Sequence, residues 1–203
     1  MYLPDAAWRQ LVIALGYPVG FLIVVLSRQQ LFTETTITVV LPLMAEPTLV
    51  NLTRAGRMWA IVLAANLLGT LIAAAFIVFT PAVAPELRQH MLEISRHAVQ
   101  HGWLEIGFQG ITSGYLMAAM VWLIPGARAA QFHVAYLMTY LIGAGGFAHI
   151  VAGSVEAFLL VCDGWISLGE ILLHFTLPVL IGNIVGGTVL FALISYAQVM
   201  KEM

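Results

Sequence analysis

Two stretches of this chain place reactive side chains where apolar ones are expected. The first reads VLSRQQLFTETTI from Val25 to Ile37 and carries Arg28, Thr33 and Glu34. The second reads GAGGFAH from Gly143 to His149, with Gly153, Ser154 and Glu156 close behind. Imidazole both donates and accepts hydrogen bonds and exchanges protons near neutral pH. A histidine on an apolar helix face is ordinarily hydrogen-bonded within a bundle. Here the neighbouring glycines weaken a helix by about 1 kcal/mol each relative to alanine, which favours a cavity-lining role for His149. Thr33 is of a type that caps helix N-termini. Arg28 and Glu34 read as a buried pair across a chain break, because an unpaired Arg at bilayer depth is costly. The sharper reading sets Arg28 at the mouth of such a cavity, where a cation attracts anions. Asn183, between glycines of the last apolar block, suits helix packing or the satisfaction of carbonyls freed by a break elsewhere.

The elements that position these groups follow from composition. Of 203 residues, 61% are hydrophobic and only 9% charged, whereas soluble domains carry about 25% charged residues. The deficit predicts an all-α membrane protein, and the length predicts a single domain over residues 1–203. The net charge of −2 comes without a basic patch, which excludes nucleic acid as a partner. One cysteine, Cys162, excludes an intrachain disulfide. No secretory leader is evident before the first apolar run.

Five apolar blocks predict five spans, at about 11–44, 58–79, 103–124, 132–161 and 171–200. A bilayer core takes roughly 20 helical residues. The first block is too long for one plain span and is cut by Arg28-Gln29-Gln30 and Glu34. The fourth is cut by its glycines. Pro125-Gly126 is expected to end the third cleanly. Between the second and third, Leu87, Met91, Ile94 and Ala98 recur at helical spacing and predict an amphipathic helix against the membrane or the protein body. Alternate loops put Arg54, Arg57, Arg128 and Lys201 on one side and Arg9, Arg88 and Arg96 on the other, so the C-terminus is assigned to the cytoplasm. Broken backbone at membrane depth is tolerated only where it is buried in protein or lines a cavity. Two broken spans in corresponding positions point to inverted repeats around a transport site. Block three precedes the second broken span, but nothing precedes the first, so the repeat pattern is short of one span.

Leu31-Phe32-Thr33 after a first half-helix, Gly146-Phe147-Ala148-His149 at a second, and Gly182-Asn183-Ile184-Val185-Gly186-Gly187-Thr188 followed by Tyr196-Ala197-Gln198 occur in that order. Together they resemble the formate/nitrite transporter family over nearly the whole chain. The resemblance implies an aquaporin-like helical bundle of six spans, of which this chain matches spans two to six through truncation or an internal start at Met1. It also implies a homopentamer in a bacterial inner membrane that passes small monovalent anions through each protomer, without cofactor or metal.

The resemblance carries residue roles with it. The family's loop threonine falls on Thr33 and its central histidine on His149. Leu31 and Phe32 fall where a hydrophobic slit closes, and Tyr17 and Phe21 where a second constriction lies. A neutral His149 can donate a hydrogen bond to an approaching carboxylate or nitrite, and an anion can take up a proton there and pass as the neutral acid. Thr33 would add a hydroxyl directed at His149. The family's lysine near the start of the third span here has no match; Arg96, His97 and His101 are the nearest basic groups. An asparagine deeper in that span is replaced by Gly114. With Arg28 and Glu34 beside the loop, these departures place the chain on a divergent branch. Glu105 and Glu156 could be pore-mouth carboxylates, but interprotomer or interface contacts are the favoured assignment.

Other readings stay open: a neutral small-solute pore, a non-conducting truncated membrane protein, and a haem protein using His133, His149 and His174. Nucleophile-elbow, HExxH and Walker motifs are absent, so neither catalysis nor coupling to ATP is expected.

Overall fold

The computed structural model describes residues 3–4 and 6–199. Lys201, counted among the charges above, lies outside the described residues, as does Met200 at the end of the last block. Among the described residues the chain is helical with no strand. The first block forms α1 (Arg9–Ala14) and α2 (Pro18–Leu26), then a break, then α3 (Phe32–Thr38) and α4 (Val40–Ala45). Pro18 sits in the first turn of α2, where its missing N–H costs nothing. At the break Arg28 has φ of +57° and Leu31 is extended, so the chain cannot continue the helix.

α5 spans Leu49–Phe79. It starts well before the apolar block at Met58, because Thr48 caps it by accepting the Asn51 N–H at 3.2 Å. Arg54 and Arg57 therefore ride on the helix and not in a loop. α6 follows as Pro85–Val99 and packs on α9 (Ala152–Cys162). Its contact face is turned from the expected one. Leu92 and Ser95 are buried, while Leu87 and Ile94 remain exposed. The apolar spacing matched a helix, but side chains one position along lie over the neighbour.

α7 runs Trp103–Ala127. It continues past Pro125, against the expectation of a clean stop there. A proline in the last turn removes one donor without breaking what precedes it, and the reversal falls instead on Arg128 at φ +42°. α8 (Gln131–Ala144) packs back on α7 and on α2. The second break covers residues 145–151 and turns at Gly146, whose φ of +64° is ready for glycine and strained for other residues. The last run comprises α10 (Leu168–Ile171), α11 (Leu177–Ile184) and α12 (Leu193–Val199), joined by π-helical turns at Leu172–Thr176 and Val185–Ala192. By length and composition four runs can cross a membrane: Arg9–Leu26, Leu49–Phe79, Trp103–Ala144 and Leu168–Gln198. Phe32–Ala45 and Ala152–Cys162 are the shorter apolar halves after the breaks.

Small residues set the closest packing. A Cβ on Gly182 would meet the Gly107 carbonyl, and one on Gly186 the Ile111 carbonyl, so α7 lies directly on the last run. Gly114 in turn lies against the backbone of Asn183. This is the close backbone approach expected of small residues at helix interfaces in membranes.

Candidate functional site

The two breaks bring α3 and α9 together at their N-termini. The Thr33 hydroxyl and His149 Nε2 are 3.0 Å apart, and both residues are fully buried. Nδ1 of His149 accepts the Val151 and Ala152 N–H groups at 3.2 and 3.3 Å. Two donors on Nδ1 assign the ring proton to Nε2, which therefore donates to Thr33 Oγ1. The Thr33 proton then has no acceptor among the described residues. Phe21 meets the imidazole edge-on, with ring centroids 5.0 Å apart, and Tyr17 lies 5.4 Å from Phe21.

Two cavities approach this pair from opposite ends of α2 and α7. One, of about 720 Å³, is lined by Leu26 and Ile124 with Arg28, Gln30, Leu31 and Glu34. The other, of about 510 Å³, is lined by Tyr17 and Gln109 with His97, His101, His149 and Glu156. Leu31 borders the first and packs with Phe21, Met117 and Ile142 in one apolar cluster. Aliphatic and aromatic side chains thus flank a polar pair whose His149 faces the second cavity.

Of the residues anticipated from sequence, Thr33, His149, Leu31, Phe21 and Tyr17 converge here. Phe32 does not line either cavity. As the first residue of α3 it points the other way, into the core beside α5, with its ring 5.7 Å from that of Trp59. Arg28 stands exposed at the rim of the first cavity and makes no ion pair with Glu34, contrary to the buried-pair reading. The left-handed turn at Arg28 carries its side chain outward, while Glu34 sits in the first turn of α3, where helix amides favour a carboxylate. Asn183 Oδ1 accepts the Ile150 N–H at 3.0 Å, and its Nδ2 donates to the Gly110 carbonyl at 2.8 Å and to Ser113 Oγ at 2.9 Å. Ser113 Oγ also reaches the Ala148 carbonyl. His133 and His174 are exposed on separate helices, apart from buried His149.

Asn66 is the residue that sequence reasoning passed over. Its Oδ1 accepts the Phe32 N–H at 2.8 Å, and its Nδ2 donates to the Gln30 carbonyl at 3.1 Å. An amide midway along the uncharged block Met58–Phe79 was the available signal. Trp59 adds a second tie, donating from Nε1 to the Thr35 carbonyl at 3.0 Å.

Comparisons with known proteins bear on the family and the fold. A family profile described as formate/nitrite transporter matches residues 2–197. The inner membrane protein YfdC of Escherichia coli (strain K12) is 45% identical across 93% of this chain and 61% of its own length. The formate channel FocA of Haemophilus influenzae is 29% identical across 91% of this chain and 73% of its own length. A solved pentameric formate channel with formate bound superposes with a TM-score of 0.80 at 21% identity, covering 96% of this chain and 84% of that one. This last likeness speaks for the fold. The chain spans 61% of the length of the Escherichia coli relative. Its apolar helical runs make it a multi-pass membrane protein.

Proposed function

Because this chain belongs to the formate/nitrite transporter family, we propose that it forms a transmembrane channel or transporter for a small monovalent anion, such as formate, nitrite or a similar weak-acid anion, with a proton route through His149. The observation that carries this reading is the hydrogen bond between Thr33 and His149, each at the start of a second half-helix. Helix N-termini at membrane depth aim N–H groups and a positive dipole end at an anion. With the His149 proton given to Thr33, the Thr33 hydroxyl is left to donate to the arriving anion. The apolar side chains around the pair exclude water and bare ions, so transfer of a proton to the anion eases its passage. Arg28 at the rim of the first cavity raises the local anion concentration.

Support for a homopentamer comes from the assembly named for the structural neighbour and from wide apolar outer faces, for example Phe108 and Leu173. The Escherichia coli relative supports placement in a bacterial inner membrane, and the bias of Arg and Lys near the span ends in the sequence supports a cytoplasmic C-terminus. The pathway residues in this reading are His149, Thr33, Leu31, Tyr17, Phe21 and Arg28, with Asn183 holding the break; Phe32 is kept as a supporting core residue. Nothing in the reading calls for a catalytic group or cofactor.

The test is a flux panel in proteoliposomes across formate, nitrite, hydrosulfide, lactate and chloride at several pH values. Uptake of a weak-acid anion above protein-free vesicles, abolished in His149→Phe, is the expected result. Permeation of glycerol without any anion would overturn it in favour of a neutral-solute pore.

A further inference from the structure

Glu156 has no part in the hydrogen bond between Thr33 and His149, yet it faces the same cavity. His149, Gly153 and Glu156 follow at spacings of four and three, which sets them on one face of the chain entering α9. His149 and Glu156 both line the cavity of about 510 Å³. Glu156 also borders a groove of about 700 Å³ lined mainly by apolar residues such as Phe21, Val24, Met91 and Val155, with the hydroxyls of Tyr17 and Ser95. Among the described residues its carboxyl has no hydrogen bond and no ion pair. The titratable groups that face it are Tyr17 from α2, His97 from α6, His101 beyond α6, and His149; Gln10 and Gln109 add neutral amides. His101 is engaged with Glu105 at 2.8 Å. α5 and α10 contribute nothing to the cavity wall, and no Lys or Arg lines it. The opposite cavity, by contrast, has Arg28.

A carboxylate in a confined space that no Lys or Arg lines repels an anion that enters. Its protonated form instead offers a hydroxyl. We propose that Glu156 is a specificity-determining residue, which lets an anion reach His149 from this side only together with a proton. The pathway then carries the anions of weak acids and rejects strong-acid anions such as chloride. The Glu156 O–H bond breaks as the anion's O–H bond forms, the neutral acid moves on, and the carboxylate takes a new proton from the aqueous mouth. This rests on the anion-transport reading above.

The experiment compares the full chain, Glu156→Gln and Glu156→Asp in proteoliposomes, with formate and chloride as probes and protein-free vesicles subtracted. In the unaltered protein, formate flux should fall about tenfold per pH unit, following the neutral acid, and chloride should not pass. Glu156→Gln should flatten that pH profile and admit chloride; Glu156→Asp should keep both properties. Unchanged chloride exclusion and an unchanged formate profile in Glu156→Gln would overturn the proposal, as would chloride flux through the unaltered protein. An unaltered protein that carries neither probe nor nitrite or lactate overturns the transport reading itself, a different outcome. Should Glu156→Gln fail to reconstitute, Glu156→Met, suited to the apolar groove, is read by the same chloride assay.

Discussion

Asn66 stands to the first break as Asn183 stands to the second. Each uses Oδ1 to accept a backbone N–H at its break, from Phe32 at 2.8 Å and from Ile150 at 3.0 Å. Each returns its Nδ2 to a carbonyl, that of Gln30 at 3.1 Å or of Gly110 at 2.8 Å. The two carboxamides supply what a broken helix lacks. Both come from the helical run that follows the broken span, as an inverted repeat requires.

Replacing either asparagine by leucine leaves a backbone N–H without its acceptor and takes one donor from a carbonyl, at about 1–3 kcal/mol for a buried group left unpaired. Asn183→Leu should be the more damaging, since Asn183 is fully buried and Asn66 only partly. Thermal unfolding in detergent is the measurement. A melting point for Asn183→Leu no lower than that of a lipid-facing control such as Phe108→Leu would count against the role given to it.

Thr33→Val keeps the shape of the side chain and removes the hydroxyl that joins His149. Anion flux should fall about tenfold, the worth of one hydrogen bond to a charged group, and Thr33→Ser should restore it. Flux kept in Thr33→Val and lost in Thr33→Ser would mean that the methyl group, and not the hydroxyl, matters.

Arg28→Gln should lower flux several-fold at low ionic strength and much less in concentrated salt, because an exposed charge at a cavity rim acts through a screened field. Melting temperature should be unchanged, since the guanidinium has no ion-pair partner to lose among the described residues. A flux loss that does not depend on salt would show that Arg28 contacts the anion or shapes the loop.

Gly186→Val puts a branched side chain where even a Cβ meets the Ile111 carbonyl. Overpacking of this kind costs about 1–3 kcal/mol or more, and here the obstacle is backbone that cannot swing away. The variant should lose folded yield in size-exclusion chromatography. Gly56→Ala, with nothing within 4 Å of the added atom, should leave the profile as it is.

The breaks themselves were legible because each violates a strong rule. Charge and amides at Arg28-Gln29-Gln30, and three glycines around residue 145, cannot sit in an undisturbed span. His149 and Thr33 were legible as types at those breaks. Their meeting at 3.0 Å across 116 positions was not, since no local pattern encodes a contact between two loops. Phe32 shows the same limit. Next to Leu31 in sequence, it turns away from both cavities because successive side chains entering a helix point in different directions.

From its sequence alone this chain is a helical membrane protein, interrupted twice, with a histidine at one interruption and a threonine at the other. Composition and backbone cost determine that much, since both act locally along the chain. Tertiary structure decided which groups share a cavity. It paired Asn66 with the first break and Asn183 with the second, freed Arg28 from Glu34, and turned Glu156 toward His149. Those outcomes depend on how helices distant in sequence pack at close range, and small residues on α7 and α11 set that packing.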